Sequence, residues 1–276
     1  MHRIGGNTQL IAHVGYPTHT FRSPSIYNPW FEHAGIDAVA VPMGVKAGDF
    51  AAFLPAIFTL TNIRGAVITM PHKRTTVALL DEASPAVRVS GACNAVRKDA
   101  EGRLVGAMFD GEGFVRGARR KGCRVEGARA LVVGSGGVGS AIAAALAGSG
   151  VAGITLHDID AASAEALTMR LRQHYPAVDV RVAANDPAGH DIVVNATPLG
   201  MKDDDPLPID PARVASTAFV GEVVLRGMTP FAAAVAARGC THLLGNDMLL
   251  EQFPAFLEFF GFPVAEPDVL RKLAGL

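Results

Sequence analysis

The chain has 276 residues, 49% of them hydrophobic, and a formal net charge of -1. This length and composition suit one large hydrophobic core or two smaller ones. A charge so close to zero offers no broad attraction to nucleic acid or to an anionic membrane, so neither is expected as a partner. Residues 1–9 lack the apolar core of a secretory signal, and we therefore expect a cytoplasmic protein.

The first half alternates short apolar runs with longer amphipathic segments, which is typical of a sheet covered by helices. A helix is predicted to begin at Ser23 and Pro24, and another over residues 49–59, where apolar side chains recur at helical spacing. The predicted strands of this half are 9–15, 37–41, 65–70, 92–97 and 104–109.

The second half repeats the alternation and ends in a broad apolar helix over residues 246–260. Its predicted strands are 130–133, 154–157, 180–183, 192–195, 218–223 and 242–244. This run of elements is Rossmann-like. The predicted fold class is α/β, with an N-terminal α/β lobe, a doubly wound Rossmann-like domain and a C-terminal helix that returns to the first lobe.

A glycine-rich loop follows the strand at 130–133 and opens an alanine-rich helix. Glycines at these positions allow a tight turn, close approach of backbone amides to a pyrophosphate, and tight contact between helix and strand. The pattern also recurs by chance and in helix packing, so its context matters. We predict a dinucleotide site formed by Gly134, Ser135, Gly136, Gly137, Val138 and Gly139.

Asp158 ends the next strand. Its separation from the last glycine of the loop is close to the ~20 residues at which a carboxylate meets the ribose 2′-hydroxyl of NAD. A 2′-phosphate would meet this negative charge, and residues 158–163 contain no arginine to offset it. NAD is therefore the expected cofactor, with NADP less favoured. The alternative is that Asp158 only caps the following helix.

Lys73 is a candidate acid or base, because the segment Thr69 to Lys73 follows a strand and is predicted to open a helix at the ligand-binding edge of the sheet. Asn94 and Asp110 follow later strands of the same half. None of these residue types is diagnostic alone.

The chain resembles the shikimate and quinate dehydrogenase family through VITMPHK, GACNAV, MFDGEGF, GSGGVG, NATPLGM and NDMLLEQ, in the family's order. The resemblance implies a substrate-binding catalytic domain at 1–112, a dinucleotide-binding Rossmann domain at 113–245, and C-terminal helices at 246–276 that pack on the catalytic domain. It implies an active site in the cleft between the domains. The implied reaction is reversible hydride transfer between a ring carbinol carbon and nicotinamide, in aromatic amino acid biosynthesis, by a monomer or homodimer.

The same resemblance assigns residue roles. Lys73 and Asp110 become a catalytic pair at the reacting hydroxyl; a structural ion pair without catalysis is the alternative. Burial lowers a lysine pKa and a neighbouring carboxylate raises it, and sequence leaves open which effect dominates. The implied substrate ligands are Ser23, Thr69, Asn94 and Gln252, and the further cofactor residues are Asn195, Thr197, Pro198 and Gly245. For the segment 195–201, an ordinary turn is the alternative.

Three positions depart from the family pattern: Phe21 replaces a serine that binds the substrate carboxylate, Phe109 a polar residue, and Leu225 a tyrosine. Each buried group left unpaired costs about 1–3 kcal/mol, so the usual pose of shikimate should be weakened. The expected small-molecule substrate is therefore shikimate, quinate or a less polar analogue. Arg22 either binds the carboxylate in bidentate fashion or points into solvent.

A second hypothesis is a regulatory protein that keeps the nucleotide fold but has weakened catalysis. The joint presence of Lys73, Asn94, Asp110 and Gln252 argues against it. No metal is expected, because Cys93, Cys123 and Cys240 are widely spaced, and the acidic run 203–205 beside proline is typical of a solvated loop.

Overall fold

The computed structural model describes residues 4–276, which divide into two compact units. The first unit holds the described residues up to Phe109 together with Phe253–Leu276, and the second unit is Asp110–Gln252. Each unit has a six-stranded sheet among its described residues. The predicted α/β class is confirmed.

The sheet of the first unit mixes parallel and antiparallel pairs in the order β2-β1-β3-β5-β6-β4. Its strands are β1 (Gln9–Gly15), β2 (Ala38–Gly44), β3 (Ile63–Ile68), β4 (Glu82–Ala83), β5 (Ala95–Lys98) and β6 (Leu104–Ala107). β1 lies parallel to β2 and β3, whereas β5 is antiparallel to β3 and β6. The parallel strands β1 and β3 therefore end at the same edge of the sheet.

The sheet of the second unit is parallel throughout, in the order β12-β11-β10-β7-β8-β9. Its strands are β7 (Arg129–Val133), β8 (Gly153–His157), β9 (Asp179–Val182), β10 (Ile192–Asn195), β11 (Phe219–Glu222) and β12 (His242–Leu243). This is the doubly wound Rossmann order, and the direction of winding reverses between β7 and β10. Ligands of such sheets bind beyond the carboxyl ends of the strands at that point.

The α-helices cover the sheets and fill the cores with their apolar faces. They are α1 (Pro24–His33), α2 (Ala47–Ile57), α3 (Pro85–Ser90), α4 (Asp110–Arg120), α5 (Gly137–Gly148), α6 (Ala161–His174), α7 (Pro230–Ala237), α8 (Gly245–Phe259) and α9 (Pro267–Ala274). In the first unit Tyr27 packs on Phe253 and Phe31 on Phe262, with ring centroids 4.6 and 4.9 Å apart. These contacts fix the C-terminal segment to α1.

The prediction of a helix that opens at Lys73 is wrong. Lys73 lies in a turn, and a short 3-10 helix follows at Thr75–Leu79. The Lys73 carbonyl accepts a hydrogen bond of 2.8 Å from the Cys93 amide, so it is used by a neighbouring segment. Val77 donates instead to Arg74, which gives the tighter turn. Within residues 4–276, no helix is both long and apolar enough to cross a membrane.

Candidate functional site

The glycine loop begins at Gly134, directly after β7 at the reversal point of the second sheet. Gly134 has a φ of 102°, and a Cβ built on it would lie 2.6 Å from the Ala196 carbonyl oxygen. Its amide donates to the His157 carbonyl at 2.7 Å. Only glycine fits this position, because both the backbone angle and the nearby Ala196 carbonyl exclude a side chain.

The other two glycines of the pattern differ in what surrounds them. A Cβ on Gly139 would lie 1.9 Å from the Gly134 carbonyl oxygen, so Gly139 allows α5 to lie against the loop. A Cβ on Gly136 would meet nothing within 4 Å. The protein's own packing thus requires the first and third glycines, and leaves the backbone of the second open.

This arrangement fits a dinucleotide pyrophosphate. Gly137 and Val138 are the first residues of α5, and a helix N-terminus offers backbone N–H groups and a positive dipole end to an anion. Ser135 is buried, and its hydroxyl has no hydrogen-bond partner among the described residues.

Asp158 is hydrogen-bonded to the backbone of this loop. One of its carboxylate oxygens accepts from the Ser135 amide at 2.5 Å, and the other accepts from the Asp160 amide at 2.9 Å. Helix α6 is capped by Asp160, whose side chain accepts from the Ala162 amide, and not by Asp158. Both oxygens of Asp158 therefore have partners within the chain.

The predicted residues after β10 form one hydrogen-bonded turn. The Asn195 side-chain oxygen accepts from the Thr197 amide at 3.1 Å and from the Thr197 hydroxyl at 2.7 Å. The Leu199 amide donates to the Thr197 hydroxyl at 3.1 Å. Pro198 is exposed within this turn, and Ala196 lies against Gly134.

Glu222, at the end of β11, is a residue that sequence reasoning missed. Its buried carboxylate accepts from the Asn195 amide group at 2.9 Å, the Thr229 hydroxyl at 2.8 Å and the Val224 amide at 3.1 Å. Burial raises the pKa of Glu222, while these hydrogen bonds act to lower it. The only sequence signal is a lone carboxylate in an apolar strand. Glu222 ties the turn after β10 to the segment after β11.

Leu225 and Gly245 lie near the same end of the second sheet. Leu225 is 36% exposed. A Cβ on Gly245, the first residue of α8, would lie 2.6 Å from the Val224 carbonyl oxygen. Gly245 therefore lets α8 begin directly against the segment that carries Leu225.

Asp110 and Gln252 lie on two touching helices of the second unit. Asp110 is the first residue of α4, Gln252 lies on α8, and both are buried. A Cβ on Gly113, one turn beyond Asp110, would lie 2.9 Å from the Gln252 Cβ. An ion pair of 3.0 Å between Arg120 and Glu251 joins the same helices further along.

The first unit gathers Thr69, Lys73 and Asn94 at the end of β3. Besides the bond between Cys93 and Lys73, the Ile68 amide donates to the Asn94 carbonyl at 2.8 Å. The Asn94 side-chain oxygen accepts from the Phe109 amide at 3.0 Å. Asn94 is therefore buried and fixed beside the turn that holds Lys73.

Phe21 stacks on His13, with ring centroids 4.1 Å apart and an interplanar angle of 23°. A Cβ on Gly15 would lie 2.4 Å from the Thr69 Cγ2 and 3.0 Å from the Phe21 Cζ, so both side chains lie next to the end of β1. Burial and, less strongly, the charge of Lys73 lower the pKa of His13 to about 3. Sequence reasoning missed His13, which sits in an apolar strand.

The remaining predicted residues of the first unit differ in exposure. Ser23 is buried at the start of α1, and Arg22 is exposed. Phe109 packs edge-on against Phe256 and Phe259 of α8, at 5.0 and 5.7 Å between ring centroids. Phe109, which stands where the family has a polar residue, is therefore part of an aromatic cluster within the first unit.

The acidic run at 203–205 is held by its own neighbourhood. Asp203 pairs with Arg226, and an Asp205 oxygen accepts from the Gly200 and Lys202 amides at 2.9 Å. In the part of the chain that the structure describes, no three histidine, cysteine or acidic side chains are grouped to hold a metal ion. The run is therefore a hydrogen-bonded surface loop.

Residues 14–96 match the family model of the shikimate dehydrogenase substrate binding domain, and residues 118–174 match the ThiF family model. Shikimate dehydrogenase (NADP(+)) of Acidiphilium cryptum is 36% identical over 98% of both chains, and that of Rubrobacter xylanophilus 35% identical over 91% of this chain and 89% of its own. The chain belongs to the shikimate dehydrogenase family. It is an oxidoreductase of the shikimate/quinate dehydrogenase type.

Solved structures agree with this assignment. Shikimate 5-dehydrogenase from Listeria monocytogenes, in complex with shikimate and NAD, is 26% identical with a TM-score of 0.89, over 99% of this chain and 98% of its own. Quinate dehydrogenase from Corynebacterium glutamicum, in complex with NAD, is 28% identical with a TM-score of 0.85, over 96% and 98%. The 5-ketofructose reductase of Gluconobacter sp. strain CHM43 is 26% identical with a TM-score of 0.86, over 98% and 99%.

The expectation of NAD in preference to NADP is wrong, because the curated relatives are named as NADP(+) enzymes. The expectation depended on a free Asp158 carboxylate that binds the ribose. In the structure both carboxylate oxygens accept backbone N–H groups of the chain itself. Spacing alone identified Asp158 as a ribose ligand, and spacing does not show which partner a carboxylate has.

Proposed function

We propose that the chain catalyses the reversible, NADP-dependent oxidation of a ring hydroxyl of a cyclic polyol, with shikimate as the reference substrate. The observation that carries this proposal is the grouping of Thr69, Lys73 and Asn94 at one end of the first unit's sheet. The glycine loop of the second unit supports the choice of a dinucleotide, and the family's curated NADP(+) enzymes support NADP.

In this proposal Lys73 takes the proton of the reacting hydroxyl, and we assign Asp110 as the second catalytic residue, as the family resemblance implies. Oxidation of an alcohol needs such a base, because the hydroxyl proton must leave as the carbon loses hydride. Bound NADP+ supplies the hydride acceptor. We assign Ser23, Thr69, Asn94 and Gln252 to the substrate's polar groups.

The geometry of the second unit supports an assignment of the cofactor residues. We assign the pyrophosphate to the open backbone at Gly136 and the start of α5, where an anion is favoured. We assign the nicotinamide half to the turn that contains Asn195, Thr197 and Pro198, with Gly245 and Leu225 beside it. Glu222 would hold that turn in place without touching the cofactor.

A second candidate substrate is an uncharged polyol or keto-sugar. The stack of Phe21 on His13 favours it, since neither side chain offers a positive charge to a carboxylate. The likeness to a 5-ketofructose reductase points to the same chemical class.

Steady-state formation of NADPH with purified protein tests the proposal. The panel is shikimate, quinate, methyl shikimate and an acyclic polyol, each with NADP+. We expect turnover of shikimate and of methyl shikimate. Absence of NADPH formation with every cyclic substrate, from protein that is folded and binds NADP+, would overturn it.

A further inference from the structure

We propose that His13 and Phe21 form an apolar wall that selects the substrate: Phe21 contacts it, and His13 positions Phe21. The selected substrate is a cyclic polyol whose group facing Phe21 carries no charge. This inference rests on the function proposed above and names its substrate class.

The wall is built from contacts within the first unit. Phe21 is half-buried, and His13 lies against it at 4.1 Å with only 4% of its own surface exposed. Thr69, a proposed substrate ligand, and the Phe21 ring both lie next to Gly15. We therefore place Phe21 beside the substrate that Thr69 binds.

The stack on His13 favours the observed orientation of the Phe21 ring. Aromatic pairs of this kind contribute ~0.5–1.5 kcal/mol beyond the area that they bury. The Nδ1 atom of His13 is buried and has no hydrogen-bond partner among residues 4–276. Burial and the stack on Phe21 therefore hold the ring without help from Nδ1.

The wall also determines which charge is tolerated beside it. Phe21 has no hydrogen-bond donor, and the low pKa of His13 keeps its imidazole neutral at physiological pH. Lys73 is the charged group whose field reaches His13. A carboxylate pressed against Phe21 would lose water without gaining a hydrogen-bond donor from that ring, whereas an ester or hydroxymethyl group loses less.

Shikimate and methyl shikimate test the wall directly, because they share one ring and differ in the charge of one group. The measured quantity is the ratio of kcat/KM for the ester to kcat/KM for the acid, with NADP+. We expect a ratio above one for the natural chain. Phe21→Ser should lower it by roughly tenfold or more, since the serine offers a donor to the carboxylate.

Variants of His13 separate positioning from general packing. His13→Leu should lower the ratio by roughly 2- to 10-fold, mainly through KM of the ester, because the stack is lost. His13→Phe keeps an aromatic partner and should restore the ratio. His33→Leu is the matched control, since His33 is exposed and contacts Trp30 on α1 at 5.9 Å between ring centroids. It should leave the ratio unchanged.

Equal ratios in the natural chain, Phe21→Ser and His13→Leu, all folded and active, would overturn the inference. A His13→Phe variant that behaves like His13→Leu would overturn the positioning role. Absence of turnover with both compounds in the natural chain would instead contradict the proposed function itself.

Discussion

Replacement of His13 by leucine should flatten the pH dependence of the first unit's stability. The folded pKa of His13 is about 3, against an ordinary value of 6.5. Above pH 6.5 His13 is neutral in both the folded and the unfolded chain, so its titration does not lower the free energy of unfolding. As the pH falls from there towards the folded pKa, His13 binds a proton in the unfolded chain only, and the free energy of unfolding decreases. At about pH 5 this linkage costs ~2 kcal/mol, since the pH lies about 1.5 units below the unfolded pKa.

Urea unfolding measures this loss. Trp30, the single tryptophan, lies on α1 in the first unit, so its fluorescence follows that unit. We expect the free energy of unfolding to fall by ~2 kcal/mol more in the natural chain than in His13→Leu between about pH 7.5 and about pH 5. Packing changes in the variant cancel, because each protein is compared with itself. Equal losses in both proteins would refute the burial of a neutral His13.

Two further predictions concern the second unit. Gly136→Ala should leave the Tm unchanged, because the new Cβ meets no protein atom. It should raise KM for NADP+ by roughly tenfold, because the Cβ fills the space that we assign to the pyrophosphate. An unchanged KM would contradict that assignment. Its matched control, Gly139→Ala, should lower the Tm by roughly 5 °C or more, because the new Cβ collides with the Gly134 carbonyl. Glu222→Gln should lower the free energy of unfolding by ~1–3 kcal/mol, since the new amide group faces hydrogen-bond donors. It should also raise KM for NADP+. If neither quantity changes, Glu222 does not hold the turn after β10.

Strands were the part of the fold that could be predicted best, because each is a short apolar run that ends in turn residues. The strand at 9–15 and the strand at 192–195 have the predicted bounds. β4 was missed, since a strand of two residues has no periodicity to detect. The prediction of an α-helix at Lys73 was wrong. The Lys73 carbonyl accepts its hydrogen bond from Cys93, which is distant in sequence, and local sequence does not reveal such a partner.

The candidate site was predictable where a residue is required by local backbone geometry. Gly134 and Gly139 are such residues, because the turn leaves no room for a Cβ. Asp158 shows the limit: its spacing matches that of a ribose ligand, but spacing does not reveal that its two oxygens accept from the Ser135 and Asp160 amides. His13 and Glu222 lie in apolar strands, and only tertiary contacts show their partners.

The Lys73→Ala variant tests the central proposal most directly, because proton transfer and dinucleotide binding are assigned to different residues. We expect calorimetry to give a Kd for NADP+ within about twofold of the natural chain, together with loss of at least ~100-fold in kcat for shikimate oxidation. Turnover that persists in the folded variant would contradict the role of Lys73 as the base. Joint loss of NADP+ binding and turnover would show that Lys73 has a structural role instead.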